Sequence, residues 1–244
     1  MGGIIIDAYI VTGASKGIGK ELVQQLAAEN HFVIGLSRSG NTDEGVHSIQ
    51  CDLSDSTNIP NVAEKIFNML PIAESYTLIN NAGIVEPIGL AGDVNHEDVI
   101  TSVAVNVTAP MLLSNLFINF LKEREAEKRI VNISSGAGRN AYEGWSTYCT
   151  TKAALDHYSR VVALEQKSAK HPVQVVSIAP GIIDTSMQET IRSSKEEDFP
   201  MLDRFIAYKE NEQLSSPKET AGKLISFMKK MNDMDEVILD IRNL

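Results

Sequence analysis

Residues Ile4–Gly19 read IIIDAYIVTGASKGIG. The first half, Ile4 to Val11, is a β-rich apolar run and predicts a strand. The second half, Thr12-Gly13-Ala14-Ser15-Lys16-Gly17-Ile18-Gly19, is a glycine-rich turn. Beyond it Ile18, Leu22 and Leu26 recur four apart, so Lys16–Asn30 predicts a helix. Glycines between a strand and a helix let the backbone turn tightly and approach a pyrophosphate, which rests on the helix N-terminus. The spacing TGxxxGxG differs from the commoner GxGxxG, but its strand–turn–helix setting favours a ligand over a bare turn. Gly13, Ser15, Lys16, Gly17, Ile18 and Gly19 are therefore candidate cofactor residues.

The same alternation continues along the chain. Strands are predicted at Phe32–Ser37, His47–Cys51, Ser75–Ile79, Arg129–Ser134, Val173–Ile178 and Glu236–Ile241. Helices are predicted at Ile59–Leu70, with Asn58 as cap and Pro60 in the first turn, and at Glu97–Lys122, Ser146–Ala169 and Glu219–Met231. Continuous Val/Ile runs separated by helices indicate a parallel sheet covered on both faces. The expected fold is α/β: one Rossmann-type domain over residues 1–244, a doubly wound parallel sheet of seven strands with helices on both faces. Asp184–Ser216 is polar, interrupted by Pro200 and followed by Pro217, and is expected to form a substrate lid.

Bulk properties narrow the function. The net charge of −10 argues against nucleic acid and anionic membranes as partners. Cys51 and Cys149 make no disulfide framework, and no His or Cys cluster suggests a metal. The N-terminus carries no basic segment ahead of a cleavage site, and no apolar run approaches the ~20 residues of a membrane span. A cytoplasmic protein is expected.

Two further stretches carry chemistry. The second strand ends in Ser37-Arg38, where an NAD site places Asp or Glu. Arg38, with Lys16 in the glycine loop, suits a ribose 2′-phosphate, so NADPH/NADP+ is the expected cofactor. Tyr148-Cys149-Thr150-Thr151-Lys152 puts a phenol and an amine one helical turn apart on one face. A tyrosine pKa of about 10 is too high for easy proton exchange, and a nearby ammonium lowers it. Upstream, Ser134-Ser135 offers a strand-end hydroxyl that could polarise a carbonyl oxygen. YxxxK alone is weak; its company gives it weight.

Taken in order, these motifs resemble the short-chain dehydrogenase/reductase family from about Ile5 to the C-terminus. The resemblance implies that Asp52, followed by Leu53, lies beside the adenine ring. Asn81, Ala82 and Gly83 fall in the family's NNAG motif, Asn80–Gly83. Asn106 corresponds to the helix asparagine that holds a water of the proton relay. Ser135 is favoured over Ser134, and with Asn106, Tyr148 and Lys152 it completes a catalytic tetrad. Pro180, Gly181, Ile183 and Thr185 match the segment that binds the nicotinamide carboxamide.

Gly144–Cys149, Ala163–Glu165 and Ala179–Gln188 resemble the sepiapterin reductase branch, whose bacterial members include benzil reductases forming (S)-benzoin. The resemblance implies a substrate with adjacent carbonyls on an aromatic frame. Trp145, Met187, Phe199, Met201, Leu202 and Phe205 could line an apolar slot for it. Asp240 falls where pterin reductases anchor the pterin ring, or is a plain strand-end residue. A reductase of sugars, steroids or acyl intermediates is the rival within the family; a non-catalytic dinucleotide sensor is the rival outside enzymes. The resemblance also implies a homodimer, paired through the long helices 97–122 and 146–169.

Overall fold

The computed structural model describes residues 7–40, 43–231 and 234–244. Ile4–Ile6 of the predicted first strand lie outside these. Seven strands form one all-parallel sheet: β1 Asp7–Thr12, β2 Phe32–Ser37, β3 Val46–Gln50, β4 Ser75–Asn80, β5 Glu127–Ile133, β6 Gln174–Ala179 and β7 Ile238–Asp240. Their spatial order is β3-β2-β1-β4-β5-β6-β7. This is the Rossmann-type sheet expected from the apolar runs. The order reverses direction between β1 and β4, and ligands bind such sheets beyond the strand C-termini at that reversal.

The helices are α1 Gly17–Ala28, α2 Ile59–Met69, α3 His96–Val103, α4 Ala109–Leu121, α5 Ser146–Gln166, α6 Ser186–Arg192, α7 Leu202–Glu210 and α8 Pro217–Met228. On one face α1 and α8 pack Leu22, Val23, Leu26, Leu224 and Ile225 against Tyr9, Val11, Val33 and Val176. On the other, α2, α4 and α5 pack Ile66, Phe117, Leu121 and Val162 against Ile10, Ile34, Leu78 and Ile130. Alternate residues of β1 thus enter opposite cores, which explains its uninterrupted apolar run. β3, at the sheet edge, is mostly exposed.

Several boundaries depart from the sequence reading. The helix expected over Glu97–Lys122 is broken by a π-helical turn at Ala104–Thr108. Pro110 explains the break: it has no N–H for the Asn106 carbonyl four residues back, and its ring crowds that carbonyl. The combined run His96–Leu121 is long and apolar enough, by length and composition, to cross a membrane, against the expectation that no stretch comes close. Leu113, Phe117 and Leu121 on it are nevertheless buried against the sheet. Asn58 precedes α2 without a side-chain capping bond, since its backbone is already helical. α8 begins earlier than expected because Ser216 and Glu219 form a reciprocal capping box with Pro217 in the first turn. Segment 184–216 carries α6 and α7. Their Ile191 and Phe205, with Phe199 between the two helices, join Trp145 and Tyr148 in a third apolar cluster.

Candidate active site

The glycine loop leaves β1 and opens α1. Gly13 and Gly17 have φ of +70° and +55°, the left-handed region that side chains disfavour. At Gly19 the requirement is spatial: a Cβ there would stand 2.2 Å from the Gly13 carbonyl oxygen and 2.4 Å from Asn81 Nδ2. The loop is tied to the end of β4 by Thr12. Its Oγ1 accepts from the Asn81 and Ala82 N–H groups, each at 3.0 Å, and its carbonyl accepts from Asn81 Nδ2 at 2.9 Å. Sequence reasoning did not give Thr12 this role; its place at the start of the turn was the available signal.

The cation pair expected at the cofactor's adenosine end is available. Lys16 and Arg38 are exposed, and Ser15 and Ile18 are half-buried beside them. Asp52 is exposed and Leu53 is buried. Two hydrogen bonds from Ser54 hold the Asp52 carboxyl below its ordinary range, with Arg38 assisting. At the other end of the cleft, a Cβ on Gly17 would lie 3.3 Å from Thr185 Cγ2, so the glycine loop and the post-β6 segment face each other closely. Pro180, Gly181 (φ +87°) and buried Ile183 lead into that segment. A bare glycine loop at a helix start, two cations beside it and a second wall at Pro180–Thr185 fit a phosphorylated dinucleotide.

Asn106, Ser135, Tyr148 and Lys152 come to one place from three different parts of the chain: the π turn, the chain just after β5, and α5. A Cβ on Gly83 would stand 3.3 Å from Asn106 Oδ1 and 3.4 Å from Lys152 Nζ. The Asn106 amide is fixed by Ile84, whose N–H donates to it at 2.9 Å and whose carbonyl accepts from it at 2.8 Å. Its Nδ2 also donates to Thr151 Oγ1 at 3.2 Å. Lys152 Nζ donates to the Ile133 carbonyl at 2.8 Å and lies 5.8 Å from the Tyr148 ring centroid. Ser135 is close enough to the Tyr148 hydroxyl to oppose the rise in its pKa, while Ser134 Oγ is buried with no partner among the described residues.

The electrostatics of this cluster correct one expectation. Burial pushes the Tyr148 phenol up to about 12, and Ser135 offsets only part of that. The expected lowering by Lys152 does not carry the balance. Lys152 is itself buried, which brings its ammonium down to about 8, with the Asp156 carboxylate opposing. Burial disfavours both charged forms. The phenol is consequently protonated at neutral pH, the state a proton donor needs.

The substrate candidates divide. Trp145 and Phe205 are buried. Trp145 stacks on Phe199 at 4.7 Å and meets the Tyr148 and Phe205 rings edge-on at 5.4 and 5.1 Å. Met187, Met201 and Leu202 are half-buried against the same cluster. These aromatics brace Tyr148. Asp240, at the end of β7, is clamped by Arg242, whose Nε donates to one carboxylate oxygen at 2.8 Å and Nη2 to the other at 2.6 Å. The pairing holds its carboxyl below the ordinary range. Sequence reasoning missed this clamp.

A family profile described as short chain dehydrogenase matches residues 7–196. The chain belongs to the short-chain dehydrogenase family. Within this family, the benzil reductase ((S)-benzoin forming) of Bacillus subtilis is 39% identical over 230 residues, covering 92% of this chain and 94% of the relative. The corresponding protein of Bacillus cereus is 40% identical over 223 residues, covering 87% and 90%. Among solved structures, the KRED1-Pglu enzyme superposes with a TM-score of 0.79 at 28% identity, covering 91% of this chain and 94% of that one. This short-chain dehydrogenase is thus an oxidoreductase similar to benzil reductases over nearly its whole length.

Proposed function

We propose that the chain is a cytoplasmic, NADPH-dependent reductase of one carbonyl of an aromatic α-diketone, of the benzil to (S)-benzoin kind. The observation that carries this reading is the meeting of Ser135, Tyr148 and Lys152 near Gly83, with Tyr148 packed against a cluster of aromatic rings. In this reading Ser135 steadies the substrate carbonyl oxygen, and Tyr148 delivers its proton to that oxygen as negative charge develops. When bound, NADPH supplies the hydride. Lys152 holds the nicotinamide ribose hydroxyls and stabilises the phenolate left behind. Pro110 leaves the Asn106 carbonyl without its helical donor, and that carbonyl holds the water through which the proton is replaced.

Relatives at 39% and 40% identity that reduce benzil support the substrate class. Arg242 occupies both Asp240 oxygens, which favours a diketone over a pterin that would need that carboxylate free. Incubation with benzil and NADPH, followed by chiral chromatography, is expected to give (S)-benzoin. Failure to turn over benzil or sepiapterin, with activity on a 3-oxoacyl thioester, would contradict the assignment.

Cofactor choice rests on Lys16 and Arg38. A charge-assisted hydrogen bond contributes about 1.5–3 kcal/mol, so Arg38→Ala is expected to raise KM for NADPH roughly 10- to 100-fold and leave that for NADH nearly unchanged. A wild-type preference for NADH in kcat/KM would rule this out. We further propose a homodimer. Ile100, Val103 and Met111 on the α3–α4 run, and Val161 and Leu164 on α5, are large apolar side chains left exposed. Light scattering is expected to give twice the 26.7 kDa chain mass.

A further inference from the structure

Asp156 lies one helical turn beyond Lys152 on α5 and is only 3% exposed. Ser177 Oγ donates to one of its oxygens at 2.6 Å, and Arg139 Nε donates to the other at 3.1 Å. Arg139 Nη2 reaches on to the Leu239 carbonyl at 2.9 Å. One buried carboxylate therefore ties together α5, β6, β7 and the chain leaving β5.

That last segment matters most. Arg139 directly follows the short helical turn Gly136–Gly138, and Ser135 caps this turn by accepting from the Ala137 N–H at 3.1 Å. Gly138 lies so close to α5 that a Cβ would stand 2.8 Å from the Lys152 carbonyl carbon. The Arg139–Asp156 pair thus fastens the turn that presents Ser135 onto the helix that presents Tyr148 and Lys152. A buried carboxylate without partners would be expensive; here two donors satisfy it, and losing one partner of such a pair is costly.

Lys152 has few other charges around it. On its own helix it faces Tyr148 and Asp156. From the end of β5 comes the neutral Ile133 carbonyl and from the chain after it Arg139; from the π turn and the segment following β4 come the neutral Asn106 and Gly83. β6 offers the neutral Ser177, and β7 offers Asp240, already clamped by Arg242. The Asp156 carboxylate is the anion set against the burial of the Lys152 ammonium.

We propose that Asp156 is a positioning residue: held by Arg139 and Ser177, it acts as counter-ion to Lys152 and locks the Ser135 turn to the Tyr148–Lys152 helix. This rests on Lys152 being the partner of Tyr148 in the proposed reaction. It extends that cluster by a buried pair that touches neither substrate nor cofactor.

The test reads Lys152 directly in the cofactor-free protein. Lysines carrying a 13C label at Cε are titrated by NMR, and the Lys152 signal is assigned by its loss in Lys152→Met. Asp156→Asn is expected to lower the Lys152 midpoint by about one pH unit, since an opposite charge one turn away is removed. Arg139→Gln removes a cation and is expected to move it the other way, by roughly half a unit. Asp156→Glu keeps the charge and is expected to bring the midpoint back to within about 0.3 unit of the wild type. The alkaline limb of kcat/KM for carbonyl reduction should follow the same order. If the midpoint is unmoved in both Asp156→Asn and Arg139→Gln, the pair is only a structural clasp and the proposal fails, whatever happens to turnover. Should Asp156→Asn not fold, the upward shift in Arg139→Gln still decides. A wild type that titrates as expected but reduces no carbonyl would instead overturn the reaction assigned above.

Discussion

Replacing Tyr148 with Phe is expected to lower kcat for carbonyl reduction by about 10³-fold or more, with NADPH affinity changed by less than about threefold. The change removes one oxygen from a buried ring and keeps its packing against Trp145. What is lost is the proton delivered to the forming alkoxide, a contribution of roughly 10²–10⁴ in rate, together with the phenol oxygen's interaction with Ser135. Burial holds the phenol at about 12, so it is fully protonated throughout the neutral range, and the wild-type rate should not fall on its account until well above pH 9. Single-turnover rates at saturating NADPH, with binding followed by cofactor fluorescence, separate the two effects. Retention of a tenth or more of the wild-type rate would remove Tyr148 from the chemistry.

Gly19→Ala is expected to be severely damaging to the cofactor loop. The added Cβ would sit 2.2 Å from the Gly13 carbonyl oxygen, which is backbone and cannot turn aside. It would also displace Asn81 Nδ2 from the bonds that join the β1 and β4 ends. Overpacking of this kind costs about 1–3 kcal/mol, equivalent in a chain of this size to a Tm fall of about 2–12 °C. The larger effect is on the cofactor, because the loop that would cradle its phosphates is the part that must move. NADPH affinity is expected to fall at least about 30-fold, which corresponds to roughly 2 kcal/mol. Differential scanning fluorimetry with and without NADPH reads both; a variant whose Tm still rises with NADPH as much as the wild type's would contradict the account.

The sheet was legible because its central strands are buried on both faces. FVIGLS at 32–37 and VQVVSI at 173–178 have no polar face to confuse the period, and both appear within one residue of their expected bounds. The candidate site was legible where motif and spacing act locally, as in the glycine loop and the Tyr148–Lys152 helix. Three features escaped for physical reasons. The π turn around Asn106 has no period of its own, although Pro110 marked it. The capping box at Ser216–Glu219 was written in the sequence but lay before the apolar run used to place α8. The Asp156–Arg139–Ser177 pairing joins three distant segments, and hydrophobic period carries no information about which polar side chains meet. Likewise, a phenol beside an amine suggests a lowered pKa only until burial is counted, and burial is a property of the folded chain.

The most direct measurement follows the atoms. The protein is incubated with benzil and NADPH carrying deuterium at both C4 positions, and the product is analysed by mass spectrometry and NMR. One deuterium on the carbinol carbon, with the hydroxyl proton drawn from solvent, is the predicted result. Benzoin without deuterium, or deuterated cofactor recovered unconsumed, would contradict the account.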